Sequence, residues 1–307
     1  MELLLLLPLL LVGGFVFGGS GGGDEDTPPE PDPDAGEIET GTSEAEEMSG
    51  TGLSDLLLGG RGGDLLEGLE GNDVLNGEFG NDTISGDAGN DVVLGADGHD
   101  LLDGSTGNDL VIGGAGDDSV VGNDGNDVLI GSSGQDTLNG GDGDDTLFGL
   151  EFADMSSGLA SSLAQLETGL ASRYGSDVTE RLLGRVETGF TSGDATDTAP
   201  DLLNGGDGND LLFGDKGDTL TGGAGIDDFA VGFRAGDAAT QIADFDVTAE
   251  SVLLLVTNPD AAVINFVTDG AGGTILTVDG QPAIAFAGRT VASLTSGGVP
   301  WLFVDRL

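Results

Sequence analysis

The chain has 307 residues, of which 56 are acidic and 8 are basic, so that its formal net charge is −48. Such a chain repels the phosphates of nucleic acids, which excludes nucleic acid as a partner and favours divalent cations instead. The absence of cysteine excludes a disulfide framework and thiol chemistry.

The N-terminus begins with an apolar stretch, residues 3–17, that is interrupted by Pro8 and by two glycines. It is shorter than the ~18 apolar residues of a full membrane span and fits the apolar region of a signal peptide or a short anchor. No basic residue precedes Arg61. We therefore assign residues 1–20 to a signal or anchor and leave open whether they are cleaved or tether the protein to a membrane.

Residues 21–49 are rich in glycine, proline and acidic side chains and contain no basic residue. They lack an apolar period, and their like charges repel one another. This composition predicts a disordered, extended acidic linker.

A nine-residue unit then repeats ten times without interruption from residue 59 to residue 148, as in "GGAGDDSVV" at Gly113–Val121. Positions 1 and 4 of the unit are glycine, position 6 is aspartate and position 8 is aliphatic in all ten units. A degenerate unit precedes them at Gly50, so the first array is residues 50–148. The glycines predict left-handed turn conformations at positions 1 and 4. The last three positions predict a short strand with position 8 inward and positions 7 and 9 outward.

Stability considerations indicate that a cation is needed. Ordering the backbone costs roughly 1–2 kcal/mol per residue, whereas one buried aliphatic side chain per unit contributes only about 1.5–3 kcal/mol. Stacked aspartates would also repel one another. Calcium, which takes six to eight oxygens from carboxylates and carbonyls, would reverse that repulsion.

The pattern G-G-x-G-x-D-x-U-x resembles the RTX (hemolysin-type) calcium-binding nonapeptide repeat. The resemblance implies an all-β parallel β-roll with two units per coil and several Ca²⁺ ions between stacked turns. Each ion would lie between position-6 aspartates two units apart, such as Asp64 with Asp82, giving roughly eight sites in the first array. The implied metal ligands are Asp64, Asp73, Asp82, Asp91, Asp100, Asp109, Asp118, Asp127, Asp136, Asp145, Asp210, Asp218 and Asp227.

Residues 149–200 interrupt the repeats. Leucines at 159, 163, 166 and 170 share one helical face, and Asp177 with Glu180 resembles a capping box before a second helix. We predict a helical hairpin that packs against the roll. A second array follows at 201–230, in which the unit at 214–221 has only eight residues and is expected to distort the turn that holds Asp218.

Residues 231–307 lose the repeat and are rich in β-forming segments, with a hairpin signal at Asp279–Gly280. We predict a small C-terminal β cap. The segment resembles the end of RTX rolls, where the type I secretion signal lies, so the resemblance implies secretion by that route.

No catalytic constellation emerges from the sequence, and we expect the protein not to be an enzyme. The pattern G-x-S-x-G occurs at residues 18–22 inside a glycine tract, and the single histidine, His99, occupies an exposed repeat turn. We expect a calcium-binding, structural or adhesive protein that is extracellular or attached to the bacterial surface and contacts cell-surface or matrix components. The alternatives are a secreted hydrolase with RTX repeats and an RTX toxin-like fragment.

Overall fold

A computed structural model describes residues 36–149, 199–256, 262–269, 273–295 and 301–306. These residues form 23 strands and one short helix. The predicted signal or anchor at residues 1–20 and all but the ends of the predicted helical hairpin at 149–200 lie outside the described residues. No helix in the described ranges is long and apolar enough to cross a membrane.

The strands and the helix follow one another regularly along the chain. In order they are β1 (Ile38–Thr40), β2 (Glu47–Ser49), β3 (Leu56–Arg61), β4 (Leu65–Glu67), β5 (Val74–Phe79), β6 (Thr83–Ser85), β7 (Val92–Asp97), β8 (Leu101–Thr106), β9 (Leu110–Ala115), β10 (Ser119–Asp124), β11 (Val128–Ser133), β12 (Thr137–Asp142), β13 (Thr146–Phe148), β14 (Leu202–Asp207), β15 (Leu211–Gly214), β16 (Thr219–Ala224), β17 (Asp228–Phe233), β18 (Thr240–Ile242), β19 (Ser251–Val256), β20 (Ile264–Thr268), β21 (Thr274–Val278), β22 (Gln281–Phe286), α1 (Val291–Thr295) and β23 (Leu302–Arg306).

Two sheets face each other, because successive strands alternate between them. The first sheet has 11 strands, which are the odd-numbered strands from β1 to β19 followed by β23. The second sheet has 12 strands, which are the even-numbered strands from β2 to β18 followed by β22, β21 and β20. Leu75 pairs with Val93, so parallel neighbours are 18 residues apart. This confirms an all-β parallel roll with two nine-residue units per coil.

The two repeat arrays form one continuous roll. Leu138 of β12 pairs with Leu203 of β14, and Leu147 of β13 pairs with Leu212 of β15. The strands before residue 150 and after residue 198 therefore keep one register and are neighbours in both sheets.

The backbone departs from the predicted turn geometry at one position. Most strands in mid-array have six residues, such as Val92–Asp97, and continue through positions 1 to 3 of the next unit. Left-handed φ angles occur at position 2, as at Ala96 (79°), and at position 4, as at Gly116 (134°). Position-1 glycines such as Gly113 are not left-handed, so that prediction is wrong. The structure places them inside the strand, where their small size matters.

The core confirms the prediction for position 8. The aliphatic side chains at this position, such as Leu102 and Val120, are fully buried and form one continuous stack between the sheets.

Positions 7 and 9 face away from this stack, and the two sheets differ in the residues that they place there. On the 12-stranded sheet, Leu101 and Leu202 are about half exposed. On the 11-stranded sheet a second buried cluster, called the outer cluster, comprises Leu56, Leu58, Val74, Val92, Leu94, Leu110, Ile112, Ile130 and Phe148.

The roll begins earlier than the repeats predict. Strands β1 and β2 lie in the segment assigned to the linker and pair in parallel with β3 and β4. Met48 takes the place of the position-8 aliphatic residue in the core. Residues 38–49 thus form the N-terminal coil, and the boundary of the predicted linker at residue 49 is wrong.

The C-terminal end of the roll is closed by β18 to β23 and α1. Strands β20, β21 and β22 are antiparallel, and Val278 pairs with Gln281 across Asp279–Gly280, which confirms the predicted hairpin. Trp301 is buried against Phe245, with ring centroids 5.1 Å apart. This aromatic cluster replaces the single aliphatic residue per unit that fills the roll.

Candidate metal centre

The position-6 aspartates line up in two ladders, one along each edge of the roll. In each ladder the backbone N–H of one aspartate donates to Oδ1 of the aspartate one coil further on, over 2.7–3.0 Å. The first ladder is Asp64, Asp82, Asp100, Asp118, Asp136, Asp201 and Asp218. The second ladder is Asp55, Asp73, Asp91, Asp109, Asp127, Asp145, Asp210 and Asp227. All thirteen predicted ligands therefore lie in the ladders.

The carboxylates of these ladders are buried, with 0–4% of each residue exposed. The second oxygen, Oδ2, has no hydrogen-bond partner at ten positions: Asp64, Asp82, Asp91, Asp100, Asp109, Asp118, Asp127, Asp145, Asp210 and Asp227. Buried polar atoms are almost always hydrogen-bonded, and an unpaired buried carboxylate is costly. Ten such atoms at one-coil intervals indicate a ligand that the protein does not itself supply.

The position-1 glycines form the other side of the space around Oδ2. A β-carbon at Gly113 would lie 2.5 Å from Asp118 Oδ2 and 2.8 Å from the carbonyl oxygen of Gly131, one coil further on. At Gly86 the corresponding distances are 2.5 Å to Asp91 Oδ2 and 2.9 Å to the carbonyl oxygen of Gly104. Carboxylate and carbonyl oxygens thus converge where only glycine fits.

This donor set suits calcium, which prefers oxygen ligands from carboxylates and backbone carbonyls. Among the described residues no three His, Cys, Asp or Glu side chains group together as a metal site. That finding fits the geometry, because each coil contributes one aspartate to a ladder. A site here would combine aspartates of neighbouring coils with backbone carbonyl oxygens, and the ion would supply the positive charge that the ladder lacks.

Comparison with protein families agrees with this geometry. The family model described as the RTX calcium-binding nonapeptide repeat (4 copies) matches residues 49–84, 58–93, 85–120, 94–129, 121–155 and 196–218. The chain carries RTX calcium-binding nonapeptide repeats across much of its length. No curated protein matches the chain.

Electrostatics of the RTX ladders favour bound protons when no cation is present. Burial, with a smaller contribution from like-charged neighbours in the same ladder, raises the pKa of Asp109, Asp118 and Asp145 to about 8. The backbone hydrogen bond to each carboxylate acts in the opposite direction. Burial likewise raises the pKa of Asp91 to about 7. The carboxylates therefore gain from a positive charge at Oδ2, whether a proton or a metal ion.

Sequence reasoning missed two members of the RTX ladders, Asp55 and Asp201. Asp55 lies in the degenerate unit at Gly50, where Leu53 replaces a glycine, yet its N–H donates to Asp73 Oδ1 over 2.7 Å. Asp201 follows the interruption, so the first half of its unit is lost, but Asp136 donates to it over 2.8 Å. The signal was present in both cases: an aspartate two residues before a position-8 leucine.

Asp218 shows the distortion expected from its eight-residue unit. Its Oδ1 accepts from Asp201 N–H over 3.0 Å, so it keeps its place in the ladder. Its Oδ2, however, accepts from the N–H of Asp215 over 2.7 Å. The carboxylate oxygen that is unpartnered at Asp64, Asp82, Asp100 and Asp118 of the same ladder is thus already hydrogen-bonded here.

A further ladder, which the sequence did not reveal, runs through position 5. Asn90, Asn108 and Asn126 each donate a backbone N–H to the asparagine one coil earlier, over 2.7–2.9 Å. On the other edge His99 takes this role, because its Nδ1 accepts from Asp117 N–H over 2.8 Å. His99 is exposed in its turn, as predicted, and its ring holds adjacent coils together.

We predict that Asp109→Asn weakens calcium binding whereas Asp124→Asn does not. Asparagine keeps the oxygen that accepts from Asp91 N–H and replaces the charged Oδ2 with a neutral NH2 group, which cannot bind calcium. Asp124 is exposed, so its substitution is the matched control with the same change in net charge. Calorimetric titration should show about one to two fewer calcium ions bound by Asp109→Asn and a higher midpoint. Equal stoichiometry and midpoint in both variants would contradict a ligand role for Asp109.

We also predict opposite pH dependences for the calcium-free roll and for calcium binding. The folded pKa of Asp109 is about 8, above its ordinary value of 3.8, so the folded state binds more protons between these values. Stability of the calcium-free roll is therefore greatest below pH 3.8 with respect to these groups and falls as pH rises towards 8. Calcium must displace the protons, so its midpoint concentration should fall over the same range.

Thermal unfolding in chelator and calcium titrations at pH 5.5 and pH 8, both followed by circular dichroism, measure the two effects. A calcium-free roll that becomes more stable from pH 5.5 to pH 8 would show that the ladder carboxylates are not protonated in the fold.

Proposed function

We propose that calcium binding drives the folding of this RTX roll outside the cell, and that the folded roll serves as a structural or adhesive element of a bacterial surface. The observation that supports this function is the series of ten buried Oδ2 atoms without hydrogen-bond partners. They are spaced at one-coil intervals, and at seven of them a backbone carbonyl oxygen of the next coil lies beside the same position-1 glycine.

Coupling between binding and folding follows from the position of these atoms. The ladder exists only when the coils are stacked, since each carboxylate is placed by the N–H of the preceding coil. The unfolded chain therefore has no preformed site, and the free energy of binding is free energy of folding. Because each coil contacts only its neighbours, ordering one coil favours binding at the next, and the sites should fill cooperatively.

A binding rather than catalytic role is part of this proposal. The single histidine of the chain is engaged in the turn ladder through its N–H and its Nδ1. The aspartates that could act as acid–base pairs are distributed along the roll at a fixed period. These features support a repeated binding scaffold and provide no nucleophile–base pair among the described residues.

An extracellular location is supported by the affinity expected of such sites. Extracellular calcium modules bind at roughly 10⁻⁴–10⁻³ M, far above cytosolic calcium concentrations. The chain would stay unfolded during export and fold on release. Residues 1–20 would then act as the export signal or as the tether that retains the roll at the surface.

Trp301 provides a test of this function, because it is the only tryptophan of the chain and is buried in the C-terminal cap. Its fluorescence should change cooperatively as calcium is added to the full chain, with a midpoint of roughly 10⁻⁴–10⁻³ M. Magnesium, which demands octahedral geometry and loses its water reluctantly, should act poorly at the same concentrations.

A midpoint below roughly 10⁻⁶ M would mean that the roll can fold at cytosolic calcium and would overturn the extracellular switch. A transition of the same midpoint with magnesium would contradict calcium as the specific ion.

A further inference from the structure

The outer cluster is a second apolar surface that the roll itself does not need. Its nine side chains occupy positions 7 and 9 of β3, β5, β7, β9, β11 and β13, on the face opposite the core. They are only 0–6% exposed, and Val128 and Phe213 pack beside them. No described helix or strand packs against this face, since the contacts of these strands are with sheet neighbours and with the opposite sheet.

The opposite sheet shows that this is not a general property of the repeat. Its outward positions hold mainly Thr, Ser, Asn and Asp, and its outward leucines Leu65, Leu101 and Leu202 are 36%, 51% and 52% exposed. The buried apolar residues of the outer cluster are thus confined to alternate units, those of the 11-stranded sheet. The outer face of the 11-stranded sheet is therefore suited to burial, and that of the 12-stranded sheet is suited to contact with solvent.

We propose that residues 150–198 of this chain cover the outer cluster, so that the interruption between the two arrays docks on the outer face of the 11-stranded sheet. The chain leaves the roll at Gly149, directly after Phe148, which belongs to the cluster. Phe148 stacks on Phe213 of the next strand at 4.6 Å between ring centroids. The inserted segment therefore starts at the apolar face that it would cover.

The dimensions of the face fit the segment. From β3 to β15 the face spans seven strands, or about 29 Å at ~4.8 Å per strand. A helix of about 20 residues would be ~30 Å long, and Gly175 could end such a helix before the capping box at Asp177. The leucines at 159, 163, 166 and 170 lie on one face of that helix at spacings of 4, 3 and 4. Such an apolar stripe is the complement of an apolar sheet face.

Other occupants fit the face less well. A second copy of the chain is not required, because the side chains are already buried within a single chain. The N-terminal residues 1–35 lead into β1, where the outward residue Ile38 is 56% exposed and no member of the cluster is found. Residues 150–198 also carry three of the eight basic residues of this acidic chain, Arg173, Arg181 and Arg185.

These arginines make trypsin a direct probe in the full chain. Leu94→Asp combined with Ile112→Asp places charge on the outer cluster without adding a trypsin site. In excess calcium we expect cleavage at Arg173, Arg181 and Arg185 to accelerate at least about tenfold over the unsubstituted chain. The matched control, Leu101→Asp with Leu202→Asp on the 12-stranded sheet, should leave the cleavage rate unchanged.

Two deletions in the full chain distinguish the occupants and keep the test decisive if the double variant does not fold. Replacing residues 150–198 by a short Gly-Ser linker should produce strong binding of the dye ANS in calcium, whereas deletion of residues 1–35 should not. Dye binding after deletion of residues 1–35 alone would assign the face to the N-terminus. No dye binding in either deletion, or equal trypsin rates in both aspartate variants, would overturn the proposal.

Discussion

Stacking of like charges is the constraint on which this structure depends. Each coil places two buried aspartates directly over those of the coil before it, and at ten ladder positions the second carboxylate oxygen has no hydrogen-bond partner. Neutral hydrogen bonds cannot remove the repulsion that accumulates along such a row, because it grows with every coil added. A cation or a proton at the unpartnered Oδ2 atoms would offset this repulsion, and the repeat provides the same oxygen site once in every unit that keeps the pattern.

The remaining features of the repeat follow from that requirement. Position 1 must be glycine because a β-carbon would occupy the space between Asp118 Oδ2 and the Gly131 carbonyl, and not because of its φ angle. Position 8 supplies one buried aliphatic residue per unit, which sets the register of the sheets but contributes too little to hold the coils together alone. Position 5 in most units supplies a side chain, usually asparagine, that hydrogen-bonds to the next coil and fixes the turn.

Much of this architecture was predictable from the period of nine. A fixed aspartate and a fixed aliphatic residue identify the ladder and the core, and both predictions agree with the positions of Asp109 and Leu102. The strict nine-residue pattern did not identify Asp55 and Asp201 as ladder members, because the units that contain them lack some of the glycines. The pattern also failed to predict the backbone geometry, because the residue with a left-handed φ angle at position 2 is often not glycine, as at Ala96.

Treating every unit as equivalent concealed the outer cluster, which is visible only when alternate units are compared. At the two ends of the roll, Met48 and the aromatic cluster around Trp301 take the place of the position-8 aliphatic residues. These residues do not follow the nine-residue repeat, so the repeat pattern could not predict them.

The central claim is that the charge of a cation is the missing contribution to folding, and far-UV circular dichroism of residues 36–307 tests it most directly. At pH 7.5 in excess chelator the spectrum should be that of a largely unfolded chain. It should convert cooperatively to a β-rich spectrum as calcium rises into the millimolar range and revert when chelator is restored. A spectrum that is already β-rich in chelator and unchanged by calcium would show that the stacked aspartates are stabilised without a metal ion, and would contradict this account.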